Sequence, residues 1–382
     1  MGRTAVKTKL CPLLFVVLAG MVLTACGFPK VVRPSMITIA PTPVITPIHD
    51  VDSLTRRNSK SLTEIISLRA DEGGSVVALA FTPDGSQLLS VHAGGGELRR
   101  WSLGEDTGVA KWLVGPVDPG LATFDRGANL LATASTQIPG IRLWDTTTGE
   151  LTLELGTDFG DDLVTALVLS PDGQLIYEGV PAGYHIWNTR TGYSIRGGSN
   201  TSKDLDTGIV SSMVPLVAAS DALGEWVIVG YQDGYIDIYD FNQSSVPGNT
   251  DITINWALGN QDALPIPHPR AMAVHPTRRW LAAVVGDNLN VWDTRLYPIP
   301  FPRKYHGVGA VGPANLAFSP DGSLLAVGTS GGWQIRSVPG FQVLVENDDQ
   351  PVTAVAWSPD GSLFAWGDAE GTVHVWGVPQ DR

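Results

Sequence analysis

The sequence predicts an all-β fold, a ring of seven repeated sheets of the β-propeller kind, on three observations. One stretch, Val352 to Gly377 (VTAVAWSPDGSLFAWGDAEGTVHVWG), writes three short strands and two tight turns in about 26 residues. Imperfect copies recur along the chain, each ending its third strand on an aromatic or its substitute: Trp101, Trp144, Trp187, Tyr239, Trp292, Arg336 and Trp376. The successive intervals are 43, 43, 52, 53, 44 and 40 residues, the period of a propeller blade. One such sheet cannot cover both of its own faces, so it needs like neighbours on either side.

In the best copy, Val352 to Trp357 alternates toward a first strand and Ser358-Pro359-Asp360-Gly361 turns. Leu363 to Gly367 is a second strand, Asp368 to Gly371 turns again, and Thr372 to Trp376 is a third. Pro359 presets φ at the second position of a type I turn, and Gly361 tolerates the positive φ that returns the chain to the sheet. The first copy has FTPDG, Phe81 to Gly85; the second loosens this to FDRGA, Phe124 to Ala128; the third restores LSPDG, Leu169 to Gly173. The fourth is weakest at its first turn, Ala219-Ser220-Asp221, yet runs on as WVIVGYQDGYIDIYD, Trp226 to Asp240. The fifth carries VHPTR, Val274 to Arg278, and the sixth FSPDG, Phe318 to Gly322.

Composition agrees and excludes some chemistry. The 43 glycines, 27 prolines and 12 tryptophans suit short strands, tight turns and large anchors between sheets. With 38 acidic against 25 basic residues and a formal charge of −13, a general nucleic-acid surface is not expected, because phosphate contacts need clustered Lys and Arg. Both cysteines lie within the first 26 residues, which rules out a disulfide framework, a cysteine zinc site or a cysteine nucleophile in the repeats. The histidines show no metal-binding spacing, and no nucleophile elbow, Walker loop or dinucleotide fingerprint is present. No catalytic residue, metal or cofactor is therefore assigned. The repeated Asp-Gly pairs read as turns.

At the amino terminus, Arg3, Lys7 and Lys9 precede the apolar run Leu13 to Leu23, the pattern of an export signal. Leu23-Thr24-Ala25-Cys26 then resembles the lipobox of bacterial lipoproteins. That resemblance implies cleavage before Cys26, acylation of its thiol, and a place outside the cytoplasm, anchored in a bacterial cell membrane or envelope. Two acyl chains hold a protein at a bilayer stably where one is marginal. Gly27 to about Ser61, with five prolines from Pro29 to Pro47, is expected as an extended tether reaching about 110 Å at most, at roughly 3.1 Å per residue. The expected organisation is a signal peptide over 1–25, a lipid-anchored tether over 26–61 and a propeller over 62–382.

The SPDG turns, the DGxIxIWD strand ends and the Thr-Gly that follows several of them resemble the WD40 repeat family over about residues 62 to 382. The resemblance implies four-stranded antiparallel blades, strand a nearest the axis and strand d outermost, with one blade shared between the two ends of the chain. Only six residues follow Trp376, too few for a fourth strand, so Leu62 to Arg69 (LTEIISLR) is expected to supply strand d of the last blade. The family's Gly-His dipeptide is missing; the first copy shows Asp71-Glu72-Gly73-Gly74 there. Its internal Asp-His-Ser-Trp hydrogen-bond network is therefore not expected, and the blades should be held mainly by apolar and tryptophan packing.

The implied function is a non-catalytic scaffold for a protein or peptide partner. The competing expectation is an enzyme or small-ligand binder using the central channel. The two long intervals place extra residues in Gly197 to Pro215 and in Phe241 to Arg270, on loops expected to open on one face beside blades three to five. Trp256, His268 and Arg270 fall on or near the second of these and are candidate partner contacts. Trp333 follows Gly331-Gly332 and is expected to be partly exposed. With Tyr184 and Tyr235 at matching turn exits, three aromatics would rim one face.

Overall fold

A computed structural model describes residues 37–39, 51–69, 74–104, 108–114, 119–156, 161–199, 201–203, 210–212, 215–232, 235–240, 252–255, 268–295, 303–306, 315–348 and 350–380. These belong to one compact unit, Pro34–Arg382. Cys26 and Trp256 lie outside the described residues.

Seven antiparallel sheets form the body. Blade I consists of Val76–Phe81, Gln87–His92, Glu97–Ser102 and Val109–Leu113, and blade II of Pro119–Phe124, Leu130–Ser135, Ile141–Asp145 and Leu151–Leu155. Blade III runs Ala166–Leu169, Leu175–Val180, Gly183–Asn188 and Ser194–Ser199; blade IV runs Pro215–Ser220, Trp226–Tyr231, Tyr235–Asp240 and Ile252–Asn255. Blade V has Pro269–Val274, Trp280–Val285, Asn288–Asp293 and Arg303–His306; blade VI has Leu316–Phe318, Leu324–Gly328, Trp333–Ser337 and Val343–Asn347. Blade VII takes Ala354–Trp357, Leu363–Gly367 and Val373–Pro379 from the end of the chain. Its fourth strand is Thr63–Leu68, paired Thr63↔Gly377, Ile66↔Val375 and Leu68↔Val373. Each strand a lies against the next around the axis, and Ala354–Trp357 returns to Val76–Phe81, so the ring closes at seven.

The spacing of the third-strand residues has a packing cause. Opposite each stands one side chain of strand b: Leu88, Leu131, Ile176, Val227, Leu281, Leu325 and Phe364, paired with Trp101, Trp144, Trp187, Tyr239, Trp292, Arg336 and Trp376. All seven are 0% exposed. Burying each stabilises the fold by about 2 kcal/mol, repeated once per blade. Where blade VI has Arg336 instead of an aromatic, the guanidinium is 4% exposed and donates to Gln334 Oε1 at 2.7 Å and to the Phe341 carbonyl at 3.1 Å. Its burial pulls the Arg336 pKa down from its ordinary value, against the opposing charge of Glu346.

The first turns also follow one geometry. Gly85, Gly173, Gly322 and Gly361 have φ of 70°, 71°, 71° and 71°. The fourth copy uses the same turn over Asp221–Gly224, starting at the end of the stretch where its sequence is weakest, with Gly224 at φ 71°. Where the sequence departs from glycine, Ala128 (51°) and Arg278 (58°) are held in the same left-handed region.

One expectation about the start of the propeller and one about the second long interval need correction. The extended tether over 26–61 does not persist to Ser61: Val51–Asp52 pairs with Pro379 and Val378, and Leu54 is 4% exposed with its N–H donating to the Gly361 carbonyl at 3.0 Å. Ile37–Ile39 also pairs with Val109–Leu113, as a fifth strand on blade I. These apolar residues find uncovered sheet edge and seam nearby, which a reading of proline content alone does not register. The second long interval is divided by strand Ile252–Asn255, so only residues after Asn255 connect one blade to the next. Those after Asp240 join strands c and d of blade IV. The first interval contains a two-stranded hairpin, Thr201–Lys203 with Val210–Ser212.

Candidate functional site

Each strand a pairs with strand b on one side, and among the described residues no strand pairs with its other edge. The channel wall is thus made of backbone edges with hydrogen-bonding capacity to offer. At the mouth where strands a meet their first turns, the walls widen into a cavity of about 930 Å³. Phe124, Phe318 and Trp357 line it, all half-buried, with Arg126, Asp172 and Asp221. Among the described lining residues Arg126 is the one cation, and it is exposed.

The turns around this mouth are stapled by their own carboxylates. Asp84 accepts from Thr82 Oγ1 at 2.6 Å, and the hydroxyls of Thr82 and Ser86 hold its pKa down at about 2. For Asp321 and Asp360 burial alone would raise the pKa, but hydrogen bonds from Ser319 and Ser323, and from Ser358 and Ser362, outweigh it and lower both. Asp125 accepts from the N–H groups of Gly127, Asn129 and Leu130 at 3.2, 2.8 and 2.8 Å. Neighbouring turns are then joined across blades. Arg126 N donates to the Pro171 carbonyl at 2.9 Å, His275 Nε2 lies 3.0 Å from the Gly322 carbonyl, and Trp357 Nε1 donates to the Ala317 carbonyl at 3.1 Å. Between blades IV and V, Arg278 reaches Asp221 at 2.6 Å and Glu225 at 2.7 Å while lying 4.7 Å from the Trp226 ring centroid. Such a rim can present a fixed surface to a partner.

The described candidate contacts fall in separate blades, Tyr184 in blade III, Tyr235 in blade IV, Arg270 in blade V and Trp333 in blade VI. Trp333 is 1% exposed, so the expected partial exposure is corrected: its ring meets Phe364 and Trp376 edge-on at 5.4 and 5.1 Å. The seam between blades VI and VII is covered there by Leu54 and Leu62, which join the same core. Tyr184 is half-buried and stacked on Tyr177 at 5.9 Å. Tyr235 begins strand c of blade IV, one register position earlier than Tyr184 and Trp333 hold in theirs. His268 is half-buried, and burial followed by the charge of Arg270 lowers its pKa. Arg270 is exposed, at the bulge between Pro269 and Ala271 in strand a of blade V.

A polar row inside the blades was missed from sequence. Two residues before each third-strand marker stand Arg99, Arg142, His185, Asp237, Asn290, Gln334 and His374. Arg99 pairs with Glu97 at 2.6 Å, Arg142 with Glu154 at 2.6 Å, and His374 with Glu64 at 2.6 Å. The signal was present as a fixed offset from the counted residues.

The expected lack of a tryptophan network is also corrected in part. Trp101 Nε1 donates to Ser90 Oγ at 2.8 Å, and Ser90 Oγ lies 2.7 Å from His92 Nε2. Trp144 donates to Thr133 at 2.9 Å and Trp187 to Glu178 at 2.9 Å. The histidine of blade I, His92, comes from strand b and not from a Gly-His dipeptide before strand a. Burial, then the charge of Arg99, pushes the His92 pKa down to about 3.

Comparison with known proteins bears on one blade directly. The family model described as WD domain, G-beta repeat matches residues 341–377, the end of blade VI and the three carboxy-terminal strands of blade VII. No curated protein matches the chain. The ring of seven blades and this match together support a WD40-type β-propeller, an architecture that serves in general as a protein-interaction scaffold.

Proposed function

We propose that this chain is a lipid-anchored, extracytoplasmic scaffold whose propeller binds a protein or peptide partner without transforming it. The observation that carries the scaffold is the closure of blade VII by Thr63–Leu68, which ties the two ends of the body into one disc and lets loops from several blades act as a single surface. The leader ending at Leu23-Thr24-Ala25-Cys26 supports the anchor and the location, with Cys26 as the acylated residue. The charge of −13 argues against nucleic acid as the partner.

The test is crosslinking of the full-length protein in intact cells, with a fatty-acid label in parallel. A defined protein partner should be recovered, and Cys26→Ser should remove both the label and the membrane association. Recovery of no partner above a tether-only control counts against the scaffold. Turnover of ester, phosphate or glycoside substrates that is abolished by substitutions in the channel would favour the enzyme reading instead. Acyl label retained in Cys26→Ser would dismiss the anchor.

A further inference from the structure

The stretch that enters the propeller, residues 51–61, carries Arg56, Arg57 and Lys60 against the single acid Asp52, in a chain whose formal charge is −13. The structure shows why these cations face outward together. Leu54 and Leu62, 4% and 7% exposed, are sunk into the seam of blades VI and VII on either side of them. The turn between is clamped by Asn58: its Oδ1 accepts from the N–H and hydroxyl of Thr55 at 2.7 and 2.8 Å, and its Nδ2 donates to the Ser53 carbonyl at 3.1 Å. Ser59 is 1% exposed, so the short 3-10 turn Ser59–Ser61 packs inward through it. Arg56, Arg57 and Lys60 are all exposed, as is Asp52, and none of the three cations is in an ion pair among the described residues. Strand d of blade VI, beside this turn, contributes Glu346, and Asp348 follows its end; both are exposed and neither is within ion-pairing distance of the three.

We infer that this basic turn is a contact for the anionic phospholipid headgroups of a membrane surface. The inference deepens the lipid-anchor reading and rests on it for the nearness of a bilayer. Twenty-four residues separate Cys26 from Val51, a span of about 75 Å at most at roughly 3.1 Å per residue, so an acylated Cys26 keeps the turn within reach of the headgroups. An electrostatic contact adds to acyl binding and orients the anchored body, and each Lys or Arg near an anionic surface adds to it. Two apolar anchors and an asparagine clamp hold the three cations on one rigid turn, so little order is lost on contact. The rim at blades VI and VII then faces the bilayer, and the rest of the disc is left to partners.

The test uses the full chain and its Arg56→Glu/Arg57→Glu/Lys60→Glu variant, each with and without Cys26→Ser, on phosphatidylglycerol-rich and on phosphatidylcholine vesicles. Wild type should prefer the anionic vesicles, with the preference falling as salt rises, and the charge-reversed variant should lose it by on the order of 100-fold. Cys26→Ser should lower binding to both vesicles and leave the preference in place, which separates failure of the turn from failure of the anchor. Equal preference in wild type and variant overturns the inference. So does inorganic phosphate that displaces the protein at constant ionic strength, since that marks a phosphate site rather than a lipid surface. Unchanged circular dichroism in the variant shows that any loss is one of binding, because the substituted side chains are exposed.

Discussion

His374 Nδ1 lies 2.6 Å from Glu64 Oε1 across 310 residues of sequence, at the place where the two ends of the propeller are joined. The same nitrogen is 3.1 Å from Ser67 Oγ, Nε2 is 3.5 Å from Asp368 Oδ2, and the ring stacks on Trp366 at 3.9 Å. Four neighbours therefore fix one imidazole at the closing seam.

The His374–Glu64 contact is not what holds that seam. Glu64 is 39% exposed, and pairs of this kind contribute at most about 1 kcal/mol. Ile66, 7% exposed and paired with Val375, is the larger contributor. Glu64→Gln should lower stability by less than about 1 kcal/mol and Ile66→Ala by about 2–4 kcal/mol, as read from urea unfolding.

Gly367 marks the close approach of blades VII and I. A Cβ there would lie 2.4 Å from Val76 Cβ, inside the fold. Gly367→Ala should cost about 1–3 kcal/mol and lower Tm, and Val76→Ala should recover part of the loss by making room.

Ala128 holds a left-handed conformation, φ 51°, at the position glycine occupies in five other turns. Such a conformation costs an L-residue roughly 1–2 kcal/mol. Ala128→Gly should raise stability by about 0.5–1 kcal/mol in thermal or urea unfolding, after the added freedom of the unfolded chain is subtracted.

Asp221 ties blade IV to blade V. Its side chain is 0% exposed and accepts from the N–H groups of Leu223, Glu225 and Trp226 and from Arg278. Asp221→Ala leaves the Arg278 partner and three part-buried backbone donors unmatched, and the expected loss is about 2–4 kcal/mol by equilibrium unfolding.

Acid should loosen blade I through His92. Its folded pKa of about 3 is below the ordinary 6.5, so between those values the unfolded chain binds a proton that the folded chain does not. Stability is then complete above about pH 6.5 and is lost as pH falls toward 3, with a slope of up to about 1.4 kcal/mol per pH unit. Unfolding measured across that range should show a slope shallower by up to one proton in His92→Gln. The wild-type His92 ring resonances should not titrate above pH 4.5.

The number of blades, their order and the strand that closes the ring were all legible in the chain. Trp101 and its six counterparts each oppose a fully buried strand b residue, and a constraint repeated in every blade leaves a countable period. The turns were legible for the same reason, since Gly85 and its equivalents need a conformation that few residues adopt.

The surroundings of single side chains came only with the assembled ring. Trp333 follows two glycines and looks exposed along the chain, yet Leu54 and Leu62, about 270 residues away, cover it. The outward set of Arg56, Arg57 and Lys60 likewise exists because Leu54 and Leu62 dock elsewhere in the sequence and orient what lies between. Local patterns record what every blade must repeat, while burial at a seam depends on which distant segment arrives there.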